Sequence, residues 1–374
     1  MPKKNDKISV KSYHDTARDV SKKLDTFLLS EFQKRDNANL LLSMYRKFIE
    51  RKMGKEHQRP MLVYIASQLF GLETDKNYSN LLPLMATTEL AIWSAYALNW
   101  VTDGKNQESQ NEVMIDLVAS QYLWTEILFL NLPDKVIRSY IEMFRKMMRS
   151  FLLVETDLTI TNYDNLMDEN KFWKAYNLHG TQGTGILDSY CFQIVDQYFD
   201  LKIPSDKMQK LDRIIQVFGR NLQIINDTSD LMIPNPELTT SEKRPIKDYF
   251  VDIRTNRLTY PIWLLLNKSK KENLKLHEEI LESAQKRQYR QGFMERVFSF
   301  IKESGLMNEI VSFLKKEEER MKKEVDSLGV KNRGSDLLKI LSIVVAHNKF
   351  LVQIKKDYDL YGRAASGDAI GASR

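Results

Sequence analysis

Apolar residues recur every three to four positions through nearly every long segment of this chain, and that spacing leaves helices as its main way to fold. Val20, Leu24, Phe27 and Leu28 fall on one helical face. So do Leu40, Leu41, Met44, Tyr45 and Phe48, and again Tyr140, Ile141, Phe144, Met147 and Met148. No segment alternates polar and apolar residues as a half-buried strand does, and Asp103-Gly104 closes a helical pattern instead of turning a hairpin. Pro60 and Pro83 read as lying near helix starts, Pro133 and Pro204 as lying in loops. No proline follows Pro261, which predicts long uninterrupted helices to about Gly362. The strongest loop signal is Leu231 to Pro245, with three prolines, two threonines and a serine. The expected fold class is all-α. One helical domain is expected over residues 13–363, with a disordered basic tail at 1–12 and a disordered Gly-rich tail at 364–374.

Composition narrows the function classes. Hydrophobic residues make up 43% of the 374, enough for a large core, while 28% are charged, as in soluble proteins. The 56 basic and 50 acidic side chains leave a net charge of +6, an excess that suits an anionic substrate without predicting nucleic-acid binding. Nucleic-acid signatures are absent: there is no zinc spacing, no aromatic RNA-binding strand motif and no arginine stripe. The lone Cys191 permits no internal disulfide and lies in an apolar stretch, where packing is its expected role. Met1 to Lys7 is basic and polar and lacks the apolar core of a signal peptide. The most membrane-like window, Leu81 to Val101, carries Glu89, hydroxyl residues and Asn99, so a buried helix is expected there and no transmembrane segment. These features predict a cytoplasmic protein. The charged run Lys315 to Lys323 reads as a solvated helix face.

Two polar clusters stand out. Asn226, Asp227 and Asp230 are spaced so that all three can share one side of a helix, at an end that opens into the Leu231 to Pro245 loop. Oxygen donors gathered there suit Mg²⁺, which takes octahedral oxygen ligands and usually shares a phosphate with its substrate. A solvated helix face accounts for the same spacing. Upstream, Asn99 and Asp103 end an otherwise apolar helix, as ligands at the mouth of an apolar cavity would, or as a solvated helix terminus capped by Gly104.

The order of several motifs gives the chain a resemblance. Gly54-Lys55-Glu56-His57-Gln58-Arg59-Pro60 resembles the G-G-K-x-x-R-P segment of the trans-polyprenyl diphosphate synthases. Glu89 to Gly104 resembles that family's first aspartate-rich motif, and Phe218 to Asp230 its second, Y-G-R-N-L-G-x-x-F-Q-I-x-D-D-x-x-D. Lys247 and Asp252 to Pro261 resemble the K-x-x-x-x-D-L-x-x-G-K-x-T-L-P segment that follows, and Gly183-Thr184-Gly185 falls where the family has a K-T dipeptide. The matches run in order over roughly residues 20–362. The resemblance implies an antiparallel helical bundle of the isoprenoid synthase type around a deep apolar pocket. It implies Mg²⁺ held by Asn99, Asp103, Asn226, Asp227 and Asp230, and an allylic isoprenoid diphosphate as substrate. Arg59, Arg220, Gln223, Thr184, Lys247 and Arg257 stand at matching substrate positions, with Asp227, Asp230, Lys247 and Arg257 expected to carry the chemistry. A homodimer, or a heterodimer with a related synthase, is expected on the same ground.

The departures from that pattern are specific. Asn99 and Trp100 replace the first two aspartates of the first motif, and Asn226 replaces the first of the second. Glu56 stands for a lysine, Gly183 for the lysine of K-T, and Gly104 to Glu112 holds only Lys105 where two arginines are expected. Of the family's isopentenyl diphosphate site only Arg59 survives, whereas Asp227, Asp230, Lys247 and Arg257 keep most of the allylic site. The expected function is therefore terpene-synthase-like ionisation of one allylic diphosphate, with Trp100 shielding the cation by its ring face or filling space. The alternatives are chain elongation or another prenyl transfer, and a catalytically silent partner subunit.

Overall fold

The computed structural model describes residues 9–51, 57–103, 110–157, 159–231, 250–348 and 351–358. Every regular element among them is helical, and the one β-bridge, Thr159 to Arg257, is isolated. The helices gather into two compact units. The first is drawn from Met1–Met147, Gly185–Gln216 and Met321–Ile343, the second from Met148–Thr184, Val217–Arg320 and Val344–Arg374.

In the first unit, α1 (Val10–Gln33) starts inside the span expected to be a tail, because Ser9 caps it by accepting a hydrogen bond from the Ser12 amide at 3.1 Å. Its buried face runs Tyr13, Ala17, Val20, Leu24, Leu28 and Phe32, which includes Val20, Leu24 and Leu28 of the expected face but leaves Phe27 only half-buried. Helix α2 (Ala38–Arg51) buries Leu41, Met44 and Tyr45 but leaves Leu40 exposed, which corrects its place on the inward face. Helix α3 (Gln58–Leu69) is buried almost all round and packs on α1, on α4 (Thr74–Asp103) and on α8 (Gly185–Phe199). Its C-terminal carbonyls are capped from a distant segment: Asn332 Nδ2 donates to the Gln68 and Leu69 oxygens at 2.9 Å each. The backbones there approach so closely that a Cβ on Gly334 would lie 2.1 Å from the Leu69 nitrogen.

Pro83 does not mark a helix start. It sits inside α4, where its ring removes one backbone hydrogen bond. The helix continues because Leu81, Leu84, Met85 and Ala86 are wholly buried around it, so packing outweighs propensity. Helix α5 (Gln110–Asn131) packs chiefly on α4. Met114, Ile115, Val118, Tyr122 and Phe129 form an exposed apolar stripe along it. On α6 (Asp134–Asp157) Tyr140 and Met147 are buried, while Ile141 is exposed against expectation.

In the second unit, α7 (Glu169–Asn177) is capped by Asp168 and runs into a π-helix, Leu178–Thr184. Helix α9 (Ser205–Thr228) ends in a 3₁₀ turn, Ser229–Leu231. Val251–Arg254 and Tyr260–Glu272 come next among the described helices, with Pro261 in the first turn of the latter. Beyond it the expected uninterrupted helices are broken without proline. Arg287, Gly292, Gly305 and Gly329 take positive φ and divide the segment into Leu274–Lys286, Phe293–Glu303, Leu306–Asp326 and Arg333–Ala346, of which Met321–Ile343 belongs to the first unit. Among the described residues one stretch, Arg333–Tyr358, is long and apolar enough to cross a bilayer, and 56% of its apolar window is buried inside the protein. The tail at 364–374 lies outside the described residues.

Candidate functional site

The last turn of α9 supplies the acidic pair. Leu211, Ile214, Ile215, Phe218 and Ile224 anchor the helix in the core, which draws the polar residues at its C-terminus inward with it. Asp227 and Asp230 are only 5% and 3% exposed, while Asn226 is exposed. The three residues differ in exposure, and the α-helix gives way to a 3₁₀ turn between Asp227 and Asp230.

Two neutral donors grip the Asp227 carboxylate. The Tyr176 hydroxyl donates to Oδ2 at 2.6 Å, and Gln223 Nε2, one turn earlier on α9, donates to Oδ1 at 2.7 Å. Tyr176 is held by ring stacking: Phe172 lies at 5.4 Å and 18°, and Phe172 in turn stacks on Trp263 at 4.6 Å and 14°. Burial, reinforced by the Asp227 charge, pushes the Tyr176 hydroxyl well above its ordinary pKa, so it remains a donor. The Asp230 carbonyl accepts from the Phe250 amide at 3.0 Å and ties Phe250 to the helix end. Arg257 sits in the turn after Val251–Arg254, half-buried, with its amide bonded to the Asp252 carbonyl at 2.7 Å.

Arg220 is placed as a packing cation. Its guanidinium pairs with Glu317, reaches Asn177 Oδ1 at 3.3 Å, and lies over the rings of Trp173 and Phe313 at 5.7 and 5.6 Å. The π-helix presses against it: a Cβ on Gly180 would meet the Arg220 backbone and side chain at 2.9 Å. The run Lys315 to Lys323 is therefore not a wholly solvated face. Glu317 turns inward to Arg220, and Glu318, 6% exposed, faces His347 Nε2 at 3.4 Å.

In the first unit Arg59 and His57 both face internal carboxylates. Arg59, 7% exposed, donates through Nε to Asp188 Oδ1 at 2.8 Å, and Asp188 is wholly buried. Burial outweighs the attraction of Arg59 and pushes the Asp188 carboxyl above its ordinary range. His57 is held between Glu89 Oε1, 2.6 Å from Nδ1, and Asp25 Oδ1, 2.8 Å from Nε2, and Tyr45 also donates to Asp25 at 2.7 Å. Cys191 is buried, with Sγ against the Leu187 carbonyl at 3.3 Å, and its thiol pKa is pushed up by burial, as suits a packing role.

Asn99, Trp100 and Asp103 lie in the last turns of α4, and Thr184 ends the π-helix, but their side chains fall outside the described residues, as do Glu56 and Lys247 entirely. Asp188, Tyr176 and Glu317 are the residues that sequence reasoning missed. Asp188 and Tyr176 act across separations of 129 and 51 residues, which carry no local pattern. Asp227 and Asp230 are hard oxygen donors three residues apart, a pair whose chemistry fits Mg²⁺ with waters and phosphate oxygens completing its shell. No group of three or more His, Cys, Asp or Glu placed to hold a metal occurs among the described residues.

No family model and no curated protein matches this chain. Its fold does match solved structures. A polyprenyl synthase from Caulobacter crescentus CB15, complexed with calcium and isoprenyl diphosphate, aligns with a TM-score of 0.69 at 16% identity, over 92% of this chain and 99% of that one. A decaprenyl diphosphate synthase from Rhodobacter capsulatus aligns at 0.65 and 15%, over 92% and 99%. A geranylgeranyl pyrophosphate synthase from Corynebacterium glutamicum, complexed with isoprenyl diphosphate and magnesium, aligns at 0.62 and 14%, over 90% and 99%. At such identities the likeness is one of fold: the chain has the all-helical fold of the isoprenoid synthases.

Proposed function

We propose that this chain, built on the polyprenyl diphosphate synthase fold and a divergent member of that family, is a Mg²⁺-dependent enzyme that ionises one allylic prenyl diphosphate without needing isopentenyl diphosphate. The observation that carries the reading is the capture of Arg59. It is the one cation left of the expected isopentenyl diphosphate site, and its guanidinium is buried against Asp188. A second diphosphate would have to displace a 2.8 Å charge-assisted bond and would find the neighbouring His57 held between two carboxylates. The acidic end of α9, by contrast, keeps two carboxylates.

In this proposal Asp227 and Asp230 hold the metal, with Asn226 as a further oxygen donor. When bound, Mg²⁺ neutralises charge on the departing diphosphate. Lys247 and Arg257 would bind the diphosphate, and apolar side chains would take the prenyl chain and exclude water from the cation. The calcium and magnesium found with isoprenyl diphosphate in the structural neighbours support a divalent metal here. The exposed stripe of Met114, Ile115, Val118, Tyr122 and Phe129 supports a dimer, with a second copy or a related synthase subunit covering it. We place the protein in the cytoplasm.

Equilibrium binding separates the two sites. With Mg²⁺ present, an allylic diphosphate analogue and inorganic diphosphate should bind, and isopentenyl diphosphate should bind at least about tenfold more weakly, a difference of ~1.4 kcal/mol. Equal, tight binding of isopentenyl diphosphate contradicts the reading. Arg257→Ala should weaken inorganic diphosphate by about 1.5–3 kcal/mol, the scale of a hydrogen bond to a charged group. Unchanged inhibition by inorganic diphosphate in that variant removes Arg257 from the site.

A further inference from the structure

The Asp227 carboxylate is held by two donors of very different stiffness. Gln223 reaches Oδ1 from the same helix through a flexible side chain. Tyr176 reaches Oδ2 from α7, and its ring is clamped face to face on Phe172, which is clamped on Trp263. Tyr176 and Phe172 are wholly buried, and Trp263 nearly so. A ring fixed on both its position and its tilt fixes its hydroxyl, and the hydroxyl fixes one carboxylate oxygen. With Gln223 on the other oxygen, the plane of the carboxylate is set. Both of these donors are uncharged, so neither cancels the charge of the carboxylate it orients. A carboxylate accepts at about four positions, so donors and a cation can share it.

We propose that Tyr176 is a positioning residue that presets the Asp227 carboxylate for a divalent cation, with Gln223 as its weaker partner. This inference rests on the metal reading given above and assigns a role that neither α9 nor its acidic motif contains. Its weight follows from Asn226. An amide binds Mg²⁺ less strongly than a carboxylate, so the helix end depends more on the orientation of the carboxylates it retains. Outer partners that orient a metal ligand commonly change metal affinity by about 10–100-fold when removed.

The test is Mn²⁺ binding to the purified full chain, followed by electron paramagnetic resonance, for wild type, Tyr176→Phe and Gln223→Leu. Tyr176→Phe keeps the ring stack and removes only the hydroxyl. It should bind Mn²⁺ about tenfold or more weakly than wild type, with its helical circular dichroism retained, and Gln223→Leu should show a smaller loss. If Tyr176→Phe does not fold, Phe172→Leu, which keeps the hydroxyl and loosens its support, should show the loss instead. Wild-type protein that binds Mn²⁺ while the folded Tyr176 or Phe172 variant binds it equally or more tightly overturns the positioning role alone. Wild-type protein that binds no Mn²⁺ overturns the metal reading beneath it.

Discussion

Asp227→Ala should lower the release of inorganic diphosphate from an allylic substrate by about a thousandfold or more, the scale of losing one group that stabilises developing charge, ~4 kcal/mol. The variant removes one of the two buried carboxylates at the end of α9 and leaves the Tyr176 hydroxyl and the Gln223 amide facing an empty position. Asp227→Asn separates the two effects. It preserves volume and one accepting oxygen, so stability should change little, yet the loss of charge should still cost most of the rate. Asn226→Asp should move the other way and tighten divalent metal binding, because Asn226 is exposed at the same helix end and a third carboxylate there is not buried unpaired. Phosphate release assays and Mn²⁺ titration read the three variants together. An Asp227→Ala variant of wild-type rate would remove this helix end from the chemistry.

The second large effect is on stability. Asp188→Ala should destabilise the fold by about 3–5 kcal/mol, the cost of breaking a buried ion pair from one side. Arg59 is then left as a buried cation without the carboxylate that its Nε contacts. Chemical denaturation at neutral pH measures this as a fall in the midpoint with the slope preserved. Arg59→Met combined with Asp188→Leu should recover most of the loss, since a buried pair replaced by apolar groups of similar volume is often neutral. Recovery in the double variant would show that the pair is coupled, as the 2.8 Å contact requires. Equal losses in the single and double variants would mean that Asp188 acts apart from Arg59.

The fold was largely legible before the structure. The buried face of α1 follows from apolar spacing, as do Leu41, Met44 and Tyr45 on α2. Of the segments that resemble the polyprenyl synthases, Gln58–Pro60 lies on α3, Glu89–Asp103 on α4 and Phe218–Thr228 on α9. What misled was local reasoning where tertiary context decides. Pro83 was read as punctuation, but a fully buried neighbourhood carries α4 through it. The proline-free C-terminal region was read as continuous, but glycines in the left-handed region break it as effectively. Glu317 looked solvated among charged neighbours until Arg220 met it from a residue 97 positions away. The site shows the same division. Asp227 and Asp230 announce themselves by spacing, whereas Tyr176 and Asp188 are ordinary residues in the sequence whose roles exist only through contacts across the chain.

The central claim is that one allylic diphosphate suffices, and the most direct measurement is diphosphate release from a single substrate. Purified protein is incubated with Mg²⁺ and allylic diphosphates of several chain lengths, first alone and then with isopentenyl diphosphate. The account predicts inorganic diphosphate from at least one allylic substrate alone, with the prenyl group recovered as an alcohol, an alkene or a cyclised product. It also predicts no dependence of that rate on isopentenyl diphosphate. Release only when isopentenyl diphosphate is added, with a longer prenyl diphosphate as product, or no release from folded protein under any combination, would contradict it.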